Sequence, residues 1–323
     1  EVEERVVSGS RHWGRFDGIT TRALKSIVYL TWASPRFNPN NDVSRWDSAA
    51  NNAKQVIDFK LNVDNVTGGF NLTNPVNWAN PNFPGIVMAS RYNDADDAME
   101  RMFYPGGFQG NGRLGATQEL VDAFPMKNGY PINDPRSDYD PSQPYTNRDP
   151  RFYSIIFHNE AVAKKNNTGA IMYTFENWQG AKDNAGPIYN SSTNYHIKKF
   201  IFMGLNWSDA TINRQPRSKF FIRWAHICLI FAEAANQVVG PTDASKYGLS
   251  AKQAIQYLRA RKTYDNTSGI LTDPYLDEIA EAGKTSFNQF IMTERRIETC
   301  FEGMRFYDLR RWTTTIEELN KYV

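Results

Sequence analysis

The sequence has little of what marks a disulfide-stabilised, membrane-spanning or nucleic-acid-binding protein. Only two residues are cysteine, Cys228 and Cys300, and both lie in apolar stretches with a helical pattern. We therefore expect two buried thiols, with a disulfide between them as the alternative. No apolar run is long enough to span a bilayer. The 37 Lys and Arg residues nearly balance the 35 Asp and Glu residues and form no basic stripe, which argues against nucleic-acid binding.

Motifs of common catalytic and metal sites are also scarce. The four histidines are too far apart in sequence to form a local zinc site, and His226 fits a packed or paired position on a helix. The sequence contains neither a nucleophile elbow nor a P-loop. We expect a binding protein and not an enzyme. A glycoside hydrolase stays open as the alternative, because its two carboxylates can lie far apart in the chain.

Two loop stretches resemble ligand sites in part. Gly110-Asn-Gly112-Arg-Leu-Gly115 matches the G-x-G-x-x-G pattern of dinucleotide sites, but FYPGGFQ before it cannot form the buried strand that such sites need. We interpret it as a tight loop. Aspartates cluster at 94–97 and at 134–149 without the spacing of an EF-hand. We expect no cofactor, and a calcium ion bound in one of these loops is the alternative.

Helical patterns occupy both ends of the chain, and the middle is rich in Pro, Gly and Asn. The sequence predicts helices at 20–32, with Leu24, Ile27 and Val28 as apolar positions, and at 44–59. Further helices are predicted at 118–124, 221–238, 250–262 and 286–301, with capping boxes at Ser250 and Ser286. Strands are predicted at 152–158, 170–175 and 196–202. The expected fold is mainly α, with tetratricopeptide-like helix pairs, a loop-rich middle and a few short strands.

Aromatic residues in a polar stretch are the main sign of function. Tyr173, Trp178 and Tyr189 lie in MYTFENWQGAKDNAGPIYNSSTNY, where no apolar periodicity explains them. A sugar ring stacks its C–H face on such rings, and its hydroxyls bond amides such as those of Asn177 and Gln179. These five residues are the predicted ligand site, and the alternative is that the rings anchor the loop. Candidates of second rank lie in the Gly-rich loop: Phe108 and Arg113.

Three stretches near the C-terminus resemble signatures of the SusD/RagB family: RWAHICLIFAEAAN at 223–236, AIQYLRAR at 254–261 and ERRIETCFEGMRFYDLRRW at 294–312. The third is the longest and most specific. The chain departs from the family pattern at His226 and Thr299, where the family has Glu and Leu. The resemblance extends from about residue 10 to residue 312.

The resemblance implies a nutrient-binding lipoprotein on the extracellular face of the bacterial outer membrane. Such a protein captures glycans, or peptides in some members, and passes them to a TonB-dependent transporter without catalysis. It also implies one SusD-like domain over 1–323, with a helix pair at 1–60, a ligand-binding region at 61–220 and C-terminal helices at 221–323. We expect the chain to be incomplete at both ends, with a lipid anchor on the missing N-terminus. A structural helical-repeat adaptor is a further alternative.

The stretch FEGMRFYDLRRW at 301–312 combines rings and arginines and could be read as a binding surface. Ile297, Phe301 and Met304 stand at helical spacing, so we predict that it continues a buried helix face. Ion pairs along the helix are expected between Glu302 and Arg305 and between Arg305 and Asp308. We expect a structural role.

Overall fold

The computed structural model describes residues 14–62, 85–90, 95–96, 98–108, 110–165, 171–184, 186, 188–201, 215–216, 219–261 and 268–320. These residues form eleven α-helices: α1 Gly18–Ala33, α2 Val43–Asn62, α3 Ala98–Phe103, α4 Gln118–Ala123, α5 Pro150–Ile155, α6 Trp224–Val239, α7 Ala251–Arg259, α8 Pro274–Glu281, α9 Lys284–Glu298, α10 Met304–Trp312 and α11 Ile316–Asn320. They also form eight short strands: β1 Ile86–Ala89, β2 Ala95–Asp96, β3 Ile156–Phe157, β4 Val162–Lys165, β5 Ile171–Thr174, β6 His196–Ile197, β7 Gln215–Pro216 and β8 Phe220–Arg223.

The main hydrophobic core lies among the helices from the two ends of the chain. α1 packs on α2, α2 packs on α6, and α7, α8 and α9 complete the cluster. The small-residue face of α2 is fully buried. Helices with small side chains at the contact approach closely, so paired helices from distant parts of the sequence share one core. The predicted mainly helical fold with paired helices is confirmed.

The buried face of α1 differs from the one that its large apolar residues suggested. Leu24 and Val28 are exposed, whereas Ala23, Ser26 and Leu30 are buried. The reason is close packing, since α1 presents its small side chains to the alanine face of α2. Ser26 can be buried because its hydroxyl donates to the carbonyl of Ala23 at 2.7 Å.

Asp-Pro pairs begin two helices that the sequence reading missed. Asp149 caps α5 by accepting from the Arg151 N–H, and Pro150 occupies its first turn, so the strand predicted at 152–158 is wrong over 152–155. Asp273 and Pro274 begin α8 in the same way. The capping box predicted at Ser250 is confirmed. The one predicted at Ser286 is wrong, because α9 begins at Lys284, after Gly283.

The described strands form four antiparallel pairs of two: β1 with β8, β2 with β7, β3 with β6 and β4 with β5. The strand predicted at 170–175 is confirmed as β5. Of the strand predicted at 196–202, only β6 forms, and residue 202 lies outside the described part. The pair β3–β6 and the hairpin β4–β5 carry the loops described below.

A network of buried ion pairs joins the loop-rich middle to the C-terminal helices. The guanidinium group of Arg151 pairs with both Asp149 and Glu294, and Arg259 lies 3.0 Å from Glu294. Lys199, two residues after β6, donates to Glu302 and to the carbonyls of Glu298 and Cys300. The middle region is therefore fixed to the helical core at both the start and the end of its strand pair.

The stretch FEGMRFYDLRRW does not continue α9. The helix ends at Glu298, and Phe301 and Gly303 adopt positive φ angles of 65° and 76° before α10 begins. Glu302 pairs with Lys199, Arg223 and His226, which lie far away in sequence, and not along a helix as predicted.

Two other side chains of the same stretch, Asp308 and Arg311, also form buried ion pairs. Asp308 pairs with Arg295 and Arg311, and Arg311 pairs with Glu233 at 2.6 Å. The expected structural role therefore holds, although the predicted pairs and the continuous helix are wrong. Among the described helices, none is long and apolar enough to cross a membrane.

Candidate functional site

The predicted ring Trp178 stands on a tight turn that follows strand β5. Phe175, just after the strand, is buried and contacts the rings of Phe157 and His196. The backbone then turns at Trp178, whose carbonyl accepts from the Ala181 N–H at 2.9 Å. Gly180 supplies the positive φ of 89° that this turn needs. The buried anchor and the turn hold the indole at the surface, where Trp178 is 50% exposed.

A pair of asparagine amides joins this turn to the loop of the second ring, Tyr189. The Asn177 amide donates to Asn190 Oδ1 and accepts from Asn190 Nδ2, both at 3.0 Å. His196 Nε2 lies 2.7 Å from Asn190 Oδ1 beneath the pair. Burial lowers the pKa of His196 to about 4, so the imidazole is neutral at pH 7. Asn177, just before Trp178, is thus hydrogen-bonded to Asn190, just after Tyr189.

The Gly-rich loop packs against the same two loops, backbone to backbone. A Cβ on Gly107 would lie 2.5 Å from Asp183 Cα, one on Gly112 would lie 2.0 Å from the Tyr189 carbonyl oxygen, and one on Gly115 would meet the Tyr195 carbonyl at 1.9 Å. The glycines are needed for this contact. The G-x-G-x-x-G match therefore has a structural explanation, and the described residues just before it, 98–108, form a helix and a 3-10 turn instead of a strand.

The three loops together form one surface, which we call the loop surface: the turn 176–183, the segment 188–195 and the Gly-rich segment 110–116. Its exposed side chains include Trp178, Tyr189, Ile188, Leu114 and Arg113. Apolar rings and chains are thus presented next to a guanidinium group and several amides. Such a mixture is typical of surfaces that bind amphipathic ligands.

Of the predicted site residues, four are exposed on this surface and Asn177 is buried beneath it. Trp178, Tyr189, Gln179 and Arg113 are exposed on it, and Arg113 Nε donates to the Ile188 carbonyl at 2.8 Å. Asn177 is only 3% exposed, and its amide is used within the protein.

Two further predicted residues are described only by their backbone. Tyr173 lies in β5, opposite Lys164, and Phe108 lies in the 3-10 turn Gly106–Phe108, while their side chains lie outside the described part. Sequence reasoning missed Asn190 and His196. Their only sequence signal is the high density of Asn around them.

Where the surroundings shift the pKa of a described carboxyl group, they lower it. Burial would raise the pKa of Glu298, but Arg261 and Arg223 outweigh it and hold the pKa at about 2.

The described residues also contain no group of three or more His, Cys, Asp or Glu that could hold a metal ion. In the second aspartate cluster, Asp134 and Asp149 pair with Arg136 and Arg151. Asp94 and Asp97 of the first cluster lie outside the described residues, so the calcium alternative stays a prediction.

Comparisons with known proteins give consistent results. The model of the SusD family matches residues 78–323. A SusD-like protein from Bacteroides fragilis NCTC 9343 superposes with a TM-score of 0.65 and 23% identity, over 96% of this chain and 57% of that one. A SusD-like carbohydrate binding protein from the same organism gives 0.62 and 17%, over 96% and 55%.

More distantly, the surface glycan-binding protein A from Bacteroides uniformis superposes with a TM-score of 0.51 and 13% identity, over 96% of this chain and 53% of that one. A comparison with curated proteins gives no match. At these identities the superpositions show the fold. The chain spans just over half the length of each of the three proteins.

Proposed function

The chain belongs to the SusD family, and on that premise we propose that it binds carbohydrate without catalysis, through the loop surface. The observation that carries the proposal is the half-exposed ring of Trp178, on a turn closed by the hydrogen bond from the Ala181 N–H and anchored by the buried Phe175. A turn that is already ordered loses less conformational entropy when a sugar stacks on its ring. Tyr189 offers a second ring at 49% exposure, on the loop that the amide pair bonds to the Trp178 turn.

The residues predicted from the sequence take different roles in this proposal. Trp178 and Tyr189 stack on sugar rings, and Gln179 supplies hydrogen bonds to hydroxyl groups. Asn177 acts as a positioning residue, because its amide is bonded to Asn190 and to the Asn194 carbonyl. We keep Tyr173 and Phe108 as candidates, since both lie next to the loop surface along the chain.

We propose further that the protein works at the outer face of the outer membrane and passes its glycan to a TonB-dependent transporter, with a lipid as its membrane anchor. This part rests on family membership. One structural relative is a SusD-like carbohydrate binding protein and another is a surface glycan-binding protein, which supports carbohydrate as the ligand.

Affinity gel electrophoresis against a panel of polysaccharides tests the proposal, followed by calorimetry with the oligosaccharide of any polymer that retards the protein. Replacing Trp178 by Ala should weaken binding about tenfold, the value of a lost ring contact. Trp32→Ala is the matched control, because Trp32 is also an exposed tryptophan but lies on α1.

Three results would contradict the proposal. Equal affinities for wild type and Trp178→Ala would remove Trp178 from the site. Binding to an oligopeptide mixture with no polysaccharide retardation would favour the peptide-capturing alternative. Release of reducing sugar from a bound polysaccharide would show that the protein is an enzyme.

A further inference from the structure

Arg113 differs in its surroundings from the buried arginines of the ion-pair network. Arg151, Arg223 and Arg311 each pair with carboxylates. Arg113 is exposed, and none of the described residues offers it a carboxylate. Its one hydrogen bond within the described part runs from Nε to the Ile188 carbonyl at 2.8 Å.

That single bond orients the guanidinium group and leaves its outer edge unused. Nε is tied to the loop of Tyr189, so the two terminal nitrogens, with four N–H groups, remain for a ligand. The planar edge of a guanidinium group matches the two oxygens of a carboxylate. Because the group is already held, less conformational freedom is lost when a ligand binds.

The position of Arg113 relates it to the rings of the loop surface. Gly112, the preceding residue, touches the carbonyl of Tyr189, and Ile188, the acceptor of Nε, precedes Tyr189. A sugar that stacks on Tyr189 would therefore carry its substituents towards Arg113. A neutral sugar offers only hydroxyl groups there, whereas a uronic acid offers the group that the guanidinium edge fits.

We infer that the loop surface selects acidic glycans, and that Arg113 binds the carboxylate of a uronic acid residue. The inference rests on the proposed function, since it concerns the same surface. Arg113 is then the residue that distinguishes an acidic from a neutral sugar. Trp178 and Tyr189 contribute affinity to both kinds.

Matched polymers provide the test. Polygalacturonate, alginate and heparosan are each compared with their carboxyl-reduced forms, in which every uronic acid has become the neutral hexose. Laminarin and pullulan serve as unrelated neutral polymers. Affinity gel electrophoresis identifies the polymers that retard the protein, and calorimetry on oligosaccharides gives the dissociation constants.

At least one uronate polymer should bind about tenfold more tightly than its reduced form, the value of a hydrogen bond to a charged group. Arg113→Gln should remove this difference while leaving affinity for the reduced form unchanged. Arg113→Lys should restore only part of it, since Lys keeps the charge without the planar edge. Arg310→Gln removes an exposed guanidinium group that lies on α10, outside the loop surface, and that also donates to a backbone carbonyl; it should leave the preference unchanged.

Several outcomes would overturn the inference. Equal retardation by acidic and reduced polymers would do so, as would retardation by neutral polymers alone, and both would leave the proposed function standing. Equal weakening of both forms by Arg113→Gln would show that Arg113 only braces the Ile188 loop. Retardation by none of the polysaccharides would overturn the inference and the proposed function together.

Discussion

Replacing Glu298 by Gln should strongly destabilise the protein, although the side chain keeps its shape. The Glu298 carboxylate receives two hydrogen bonds from Arg261, at 2.9 and 2.6 Å, and one from Arg223 at 3.2 Å. Arg151 lies 3.7 Å away. All four side chains are buried. The substitution removes the one negative charge shared by three guanidinium groups and leaves them partly uncompensated.

The expected size follows from the cost of breaking a buried ion pair. Removing one partner costs about 3–5 kcal/mol, because the remaining charge cannot reach water. For a chain of this length, such a loss lowers the melting temperature by about 4–7 °C. Urea unfolding followed by circular dichroism at pH 7 measures the free energy, and calorimetry measures the melting temperature. Glu281→Gln, at an exposed residue at the end of α8, is the control and should change stability by less than about 0.5 kcal/mol.

The stability difference between wild type and Glu298→Gln should depend on pH. The neighbouring arginines outweigh burial and hold the pKa of Glu298 at about 2 in the folded state, against 4.5 for the free side chain. The pKa of Glu298 is lower in the folded state than in the unfolded state. The carboxylate therefore contributes its full stabilisation above pH 4.5, and this stabilisation is lost as the pH falls towards 2. The gap of about 2.5 units corresponds to about 3 kcal/mol. The stability difference between wild type and Glu298→Gln should therefore shrink between pH 4.5 and pH 3. A difference that stays constant over this range, or one below about 1 kcal/mol at pH 7, would refute the reasoning.

Three further predictions concern the loop surface and the cysteines. Gly112→Ala should destabilise the protein and expose the loops to limited proteolysis, because its Cβ would collide with the Tyr189 carbonyl and its φ is +60°; a variant with wild-type proteolysis would contradict this. Asn177→Ala should weaken glycan binding in calorimetry about tenfold through loss of the amide pair with Asn190, and unchanged affinity would contradict the positioning role. Cys228 and Cys300 are free and buried, and burial raises both thiol pKa values, that of Cys300 to about 11, so a thiol reagent should label neither in the native protein and both in urea.

Helix position was predictable from the sequence to the extent that local pattern decides it. The capping box at Ser250 and the glycine after α6 lie at the boundaries of the helices that they predict. The buried face was less predictable, as α1 shows. A list of large apolar residues selects Leu24 and Val28, but the partner helix α2 presents alanines, and two closely packed helices bury their small residues. That choice depends on the partner and cannot be read from α1 alone.

The C-terminal stretch shows the same limit for charged residues. Spacing along a helix suggested that Glu302 pairs with Arg305. The structure instead uses Glu302 to hold Lys199 and Arg223, which are about a hundred and about eighty residues earlier in the chain. A pair three residues apart on a surface helix contributes little, whereas buried charges must each find a partner. Because a buried charge must be paired, burial decides which residues form ion pairs. Only the three-dimensional structure shows which charges are buried.

The exposed rings of the candidate site could be predicted from the sequence, but the buried residues that support their loops could not. The rings Trp178 and Tyr189 were selected because no apolar period explained them, and both are exposed. Asn177, selected as a polar partner for sugar, is instead buried in a bond with Asn190. The sequence around an asparagine beside a ring does not show whether its amide faces solvent or the protein. For Asn177 this depends on the segment 188–195, which brings Asn190 into hydrogen-bonding distance. For this reason the amide pair and the Gly-rich contact, which together hold three loops as one surface, are the features on which a glycan-binding role most depends.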